Sequence, residues 1–324
     1  MPAPRAAAVP HKSSVSVSEA QAQEVTSDRE YRRYLLTLLA VPALFLLSCI
    51  PIVRSSTFLT DSGDPFLFNA DYAFDLRHAN CEVVVFGDST ALTGVDPVTV
   101  ARLSGLSTCN ISQSQSILEV VGPLALDAYL SHNTPPRYLI LQFASETLAH
   151  QDVFWPEGLT LLLRRQSLPR ALPFLLAHPV EFYGFALWAI KSKLAAMRGP
   201  PPDFGDMEAT FRARHGLLVL PKPPQSACTA KRTYKAPADS WARQLRAKYA
   251  VNGTQVVIAA APIPECDPHA ASIIAGMRGI ADNTVALYPI GLFNDLDRHL
   301  TLAGAERWSS ELGIWVEGME RRAH

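Results

Sequence analysis

Charge of one sign is what this chain has little of. Its 29 lysines and arginines almost cancel 30 aspartates and glutamates, and no basic stripe gathers the cations along one stretch. Phosphate backbones are held by clustered cations, so a nucleic-acid partner is excluded. Nothing recurs with a period of about 20 to 50 residues, which excludes a solenoid or propeller. Cysteine is scarce too: five in 324 residues, none at a zinc-site spacing. Disorder is excluded from the other side, because 48% of the residues are apolar and 18% charged. That is enough to bury a full core, and the length fits one large domain with appendages.

What is present begins with a change of composition. Residues 1–33 are rich in Ala, Ser, Gln and Pro and lack apolar periodicity, so they read as a disordered cytoplasmic tail. Residues 34–53 carry no charge and include Leu35, Leu36, Leu38, Leu39, Phe45, Leu46 and Leu47. At 1.5 Å per residue such a segment covers about 30 Å, the thickness of a bilayer core. Arg5, Lys12, Arg29, Arg32 and Arg33 precede it and only Arg54 follows closely. The positive-inside rule then makes it a single-pass anchor in the inner (plasma) membrane, with the amino terminus cytoplasmic and the rest periplasmic or otherwise extracytoplasmic. No small-x-small cleavage site stands out after the run, which argues against a removed signal peptide. Residues 54–80 read as a linker.

From there the pattern is α/β. Glu82-Val83-Val84-Val85-Phe86 is a β-branched run expected to be a strand buried on both faces, and Gly87-Asp88-Ser89 ends it abruptly. Asp96 and Pro97 signal a helix over 97–104. Strands are expected at 108–111, 138–143, 255–260 and 285–289, with helices at 117–131, 237–250, about 268–280 and 302–321. A helical, unusually apolar insertion occupies about 150–235, packed on the domain as a cap or lying against a membrane or membrane partner.

Ser89 falls beyond the carboxyl end of a central strand, where open α/β sheets place ligands. A serine hydroxyl attacks only when a base takes its proton, and that base needs an orienting group. The loop Phe293-Asn294-Asp295-Leu296-Asp297-Arg298-His299 before the last helix offers His299 as base and Asp297 or Asp295 as its partner. His269 is a rival base. Gly87-Asp88-Ser89 after the first strand, with an Asp/His pair before a final helix, resembles the SGNH/GDSL hydrolase superfamily over residues 81–322. The resemblance implies a three-layer α/β/α, flavodoxin-like domain with a mainly parallel five-stranded sheet. It also implies Ser89 as nucleophile and oxyanion donor and His299 as base, with no metal or organic cofactor.

The sequence departs from the family at three places. Leu296 stands where Asp-x-x-His spacing puts the aspartate, leaving Asp297 or, alternatively, Asp295. The second motif's glycine is replaced within Ser114-Gln115-Ser116, making Ser114 and Gln115 candidate oxyanion donors. The third motif's asparagine has no counterpart in 142–147, where Ser145 or Thr147 are possible substitutes. With the amino-terminal anchor, these departures resemble a membrane-anchored branch that works beside polytopic membrane-bound O-acyltransferases or polysaccharide synthases. That branch implies a serine esterase or O-acyltransferase acting on acyl, chiefly acetyl, esters of an envelope or exported polysaccharide. The alternative is a non-catalytic glycan-binding or scaffolding subunit of such a complex. Cys228 and Cys266 lie in loops that a disulfide can join; Cys81 and Cys109, near opposite ends of neighbouring strands, are expected to stay unpaired.

Overall fold

In the computed structural model, which describes residues 17–114, 124–149, 156–199, 204–228, 234–295 and 298–323, one unit ends at Ser48 and a second body begins at Cys49. Helix α1 (Val17–Arg54) starts before the apolar run rather than at it. Over residues 28–54 it is long and apolar enough to cross a membrane, with Leu36, Leu39 and Leu44 exposed.

The segment expected to be a linker is folded into the body. It forms α2 (Phe58–Asp61), a 3₁₀ turn (Pro65–Ala70) and α3 (Tyr72–Asp75). Phe58, Leu67, Phe68, Tyr72 and Ala73 are buried, because aromatic and aliphatic residues recur through this stretch and find the core.

The body then alternates strands and helices. β1 (Val83–Gly87) leads into α4 (Ser89–Gly94) and α5 (Pro97–Ser104), then β2 (Thr108–Asn110), α6 (Leu124–His132) and β3 (Tyr138–Phe143). α7 (Ser145–Leu148) follows β3 directly, and the insertion then supplies α8 (Pro156–Arg165), α9 (Leu168–Ala177), α10 (Pro179–Ala196) and α11 (Gly205–Ala213). α12 (Asp239–Tyr249), β4 (Gln255–Ala260), β5 (Ile263–Pro264), α13 (Ala270–Met277) and β6 (Leu287–Tyr288) follow. β7 (Phe293–Asp295), β8 (His299–Leu300) and α14 (Leu302–Ala323) close the chain. Asp96 does stand before α5, but its carboxylate accepts from Thr99 Oγ1 (2.8 Å) and Arg214 Nη1 (3.1 Å) instead of capping the helix.

β1 to β4 form a parallel sheet in the order β2-β1-β3-β4. Alternate strand residues divide between its faces: Val84, Phe86, Leu139 and Leu141 pack with Leu126, Leu245 and Ile273 on one side. Val83, Val85 and Ile140 pack with Val100, Trp308 and Leu312 on the other. Helices therefore cover both faces, as a parallel sheet requires.

The expected fifth strand is not in this sheet. Its Leu287–Tyr288 part pairs with Ile263–Pro264 instead. The outward edge of β4 is already used: Ile258 N donates to Asp282 Oδ2 (2.8 Å) and Ala260 N to Asn283 Oδ1 (2.7 Å). Polar side chains thus close the edge that a fifth strand would occupy.

Two disulfides join the body. Cys228 and Cys266 are bridged with Cα atoms 6.0 Å apart. Cys81 and Cys109, expected to be unpaired, are bridged as well, their Cα atoms 5.9 Å apart. Cys81 lies two residues before β1 and Cys109 is the middle residue of β2.

Ion pairs tie the insertion down, from Arg164 and Arg165 to Asp71 and from Lys193 to Asp61. Lys193 on α10 donates to Asp61 on α2 and to Thr57 Oγ1 (3.1 Å). Partial burial opposes ionisation of Asp61, but the hydrogen bonds from Lys193 and Thr57 and the lysine charge outweigh it and lower its pKa. A depressed carboxylate stabilises the fold above its unfolded pKa of about 4, and this is lost as pH falls through the folded value. Asp61→Asn is expected to cost up to about 1 kcal/mol at neutral pH, a partly exposed pair being screened. Chemical denaturation of both proteins across the acid range should show the difference fading below about pH 4; a pH-independent gap would contradict it.

Candidate active site

The order β2-β1-β3 means that the chain leaves β1 in one direction for β2 and returns past it for β3. The crevice at the carboxyl ends of β1 and β3 is where open sheets of this kind bind ligands, and Ser89 stands at the end of β1.

Gly87 is needed here for space. A Cβ on it would lie 1.8 Å from the Gln142 carbonyl oxygen in the neighbouring strand. The turn after it is held by Asp88, whose carboxylate is almost wholly buried. Asp88 Oδ1 accepts from Thr90 N (2.9 Å) and Thr90 Oγ1 (2.5 Å); Oδ2 accepts from Ala144 N (2.8 Å) and Thr147 Oγ1. One carboxylate therefore caps α4 and ties the β1 turn to the β3 turn. Asp88 was read only as part of a motif; an aspartate directly before a short helix is the signal that points to it.

His299 arrives from the far end of the chain. The loop expected between the last strand and last helix is a tight antiparallel hairpin, β7–β8, with Phe293 opposite Leu300 and Asp295 opposite His299. Its buried imidazole places Nε2 3.0 Å from Ser89 Oγ, across 210 residues of sequence. Ser89 itself is half-buried. For Nε2 to accept the serine proton, the ring's own proton must sit on Nδ1. Asp297, assigned to hold that proton, lies outside the described residues, as do Gln115 and the side chain of Asp295. His269 stacks on Tyr234 instead, with ring centroids 6.0 Å apart.

Three residues that sequence reasoning missed fix this hairpin. Arg298 Nε pairs with Glu146 Oε1 on α7 at 2.6 Å, linking the turn bearing His299 to the one after β3. Phe66, from the supposed linker, packs its ring against His299 at 5.1 Å and shields it from one side. The aromatic run Phe66, Phe68, Tyr72 was the available signal.

Of the substitute oxyanion donors, two hydroxyls are committed elsewhere. Thr147 Oγ1 donates to Asp88, and Ser145 Oγ to Glu146 Oε2 (3.1 Å). Ser114 is buried beside the site, following Gln113, whose N–H bonds Gly87 O (3.0 Å). Among the described residues the backbone N–H of Ser89, the first of α4, has no hydrogen-bond partner. In the described residues no three His, Cys, Asp or Glu gather to hold a metal ion.

Compared with protein-family models, with curated proteins and with solved structures, the chain matches none.

Proposed function

We propose that the chain is an SGNH-type serine esterase or O-acyltransferase with a flavodoxin-like α/β/α domain, anchored in the inner membrane by α1 with its body outside the cytoplasm. The observation that carries this reading is the 3.0 Å contact between Ser89 Oγ and His299 Nε2. A base within hydrogen-bond reach of a hydroxyl is the arrangement that activates a serine as a nucleophile.

In the first half-reaction Ser89 Oγ attacks the carbonyl carbon of an acyl ester as its proton passes to Nε2. The carbonyl oxygen, now negative, meets the Ser89 N–H. The bond to the sugar oxygen then breaks, and that oxygen leaves with the proton from Nε2. In the second half a water or a second sugar hydroxyl gives its proton to Nε2 and takes the acyl group, restoring Ser89. Water makes the protein an esterase of an exported polysaccharide; a sugar hydroxyl, an acyltransferase beside a polytopic membrane partner.

A second reading has its own support. With the Thr147 and Ser145 hydroxyls committed to Asp88 and Glu146, the donors for the developing oxyanion are few. This favours a non-catalytic glycan-binding or scaffolding subunit.

Treating the full-length, detergent-solubilised protein with a fluorophosphonate separates the two. Phosphonylation mapped to the peptide containing Ser89, and absent in Ser89→Ala, is expected of the enzyme. Labelling that survives Ser89→Ala, or none under conditions that label a control serine esterase, would overturn the nucleophile assignment.

A further inference from the structure

Helices α9 and α10 expose a run of large apolar side chains. Leu176 is 70% exposed, Val180 76% and Met197 75%, with Leu172, Tyr183 and Leu194 about half exposed. They are not scattered. On α9, Leu168, Leu172 and Leu176 recur every four residues and form one stripe. On α10, residues 180, 183, 187, 190 and 194, with Met197 at its C-cap, are all apolar and alternate in steps of three and four, a continuous seam along the helix. The body already buries the other faces, through Ala171 and Leu175 of α9 and Phe182, Phe185 and Ala189 of α10. Among the described residues the exposed stripes are therefore a second apolar surface.

Their position shows what covers them. Arg54, the last residue of α1, donates from Nε to Leu163 O (2.8 Å) and from Nη2 to Gln166 O (3.0 Å). Arg164 Nη1 returns bonds to Val53 O (2.6 Å) and Ser55 O (2.8 Å). Four hydrogen bonds thus clamp the end of α1 to the end of α8, two residues before α9 begins. α10 is pinned to the same place by Lys193 on Asp61 and by Trp188, whose ring meets Phe58 edge-on at 5.7 Å. If α1 spans the bilayer, the chain leaves it where the stripes start.

We infer that the exposed stripes of α9 and α10 lie in the lipid headgroup and upper acyl region of the membrane that α1 crosses, holding the body against its surface. This rests on the reading of α1 as a spanning helix. Charge selects lipid over a second copy. The exposed ionic residues bordering the stripes are Arg170, Lys191 and Arg198 against Glu181, a net positive margin that anionic headgroups attract and that a matching copy would repel.

The test uses the full chain at one copy per lipid nanodisc containing anionic lipid, with Cys49→Ala removing the one free thiol. An environment-sensitive fluorophore is placed in turn through Leu44→Cys, Leu176→Cys, Val180→Cys and, at an exposed position of α14, Ile314→Cys. Quenching by acyl-chain-brominated lipid is expected at positions 176 and 180, at about half the extent seen at 44, and not at 314. Quenching at 44 with none at 176 and 180 would overturn the surface proposal and leave the spanning helix standing. No quenching at 44 would remove both. A blue shift at 176 and 180 without quenching would mean a protein contact and would also overturn the proposal.

Discussion

Ser89→Ala is expected to lower ester cleavage by about ten-thousand-fold or more, with His299→Ala close behind it and the double variant no slower than either alone. The reason is the geometry of the pair. Ser89 Oγ and Nε2 of His299 are 3.0 Å apart, so the serine loses its proton only through the imidazole, and the imidazole does nothing once the serine is gone. Residues acting as one unit are non-additive in this way. Ser89→Ala should not unfold the protein, since Ser89 is half-buried and its hydroxyl caps nothing. Initial rates on p-nitrophenyl acetate with the full-length protein and the three variants measure this. The body includes Cys49, Ile50 and Val53, all buried, so a fragment starting after Arg54 would lose part of its own core. Equal rates in wild type and Ser89→Ala would sink the assignment, and additive losses would separate His299 from Ser89.

The second large effect is on stability. Asp88→Ala strands four donors that the carboxylate now satisfies: Thr90 N, Thr90 Oγ1, Ala144 N and Thr147 Oγ1. A buried polar group left without its partner costs about 1–3 kcal/mol. Even the lower figure, summed over four donors, gives about 4 kcal/mol, a large share of the 5–15 kcal/mol that separates folded from unfolded states. Thermal unfolding by circular dichroism should fall by about 10 °C or more. Asp88→Asn, which offers one oxygen and turns an amide N–H₂ toward two of the donors, should recover only part of this. A midpoint within about 2 °C of wild type for Asp88→Ala would show that water replaces the carboxylate at little cost.

Much of this was open to a reader of the sequence. Helix 97–104 and the strands 138–143 and 255–260 have the bounds that periodicity assigned. Buried parallel strands are written as unbroken β-branched runs, and Asp-Pro marks a helix start whatever surrounds it. The strand at 285–289 was misplaced because its partner is chosen by Asp282 and Asn283 side chains filling the edge of β4, a long-range contact that no local pattern encodes. Residues 54–80 looked like a linker because Gly63, Pro65 and several aspartates interrupt them. They are buried all the same, since burial rewards apolar area and is indifferent to regularity.

The sequence by itself determined the apolar helix, the segments that form the four sheet strands and the serine at the end of the first strand, because each is written in a local run of residues. Tertiary structure alone decided that His299 reaches Ser89, that Arg298 is held by Glu146, that Phe66 covers the imidazole and that Cys81 joins Cys109. Those groups are brought together by the closure of the sheet and of the β7–β8 hairpin. Spacing along a chain carries no measure of distance once the chain has folded back on itself.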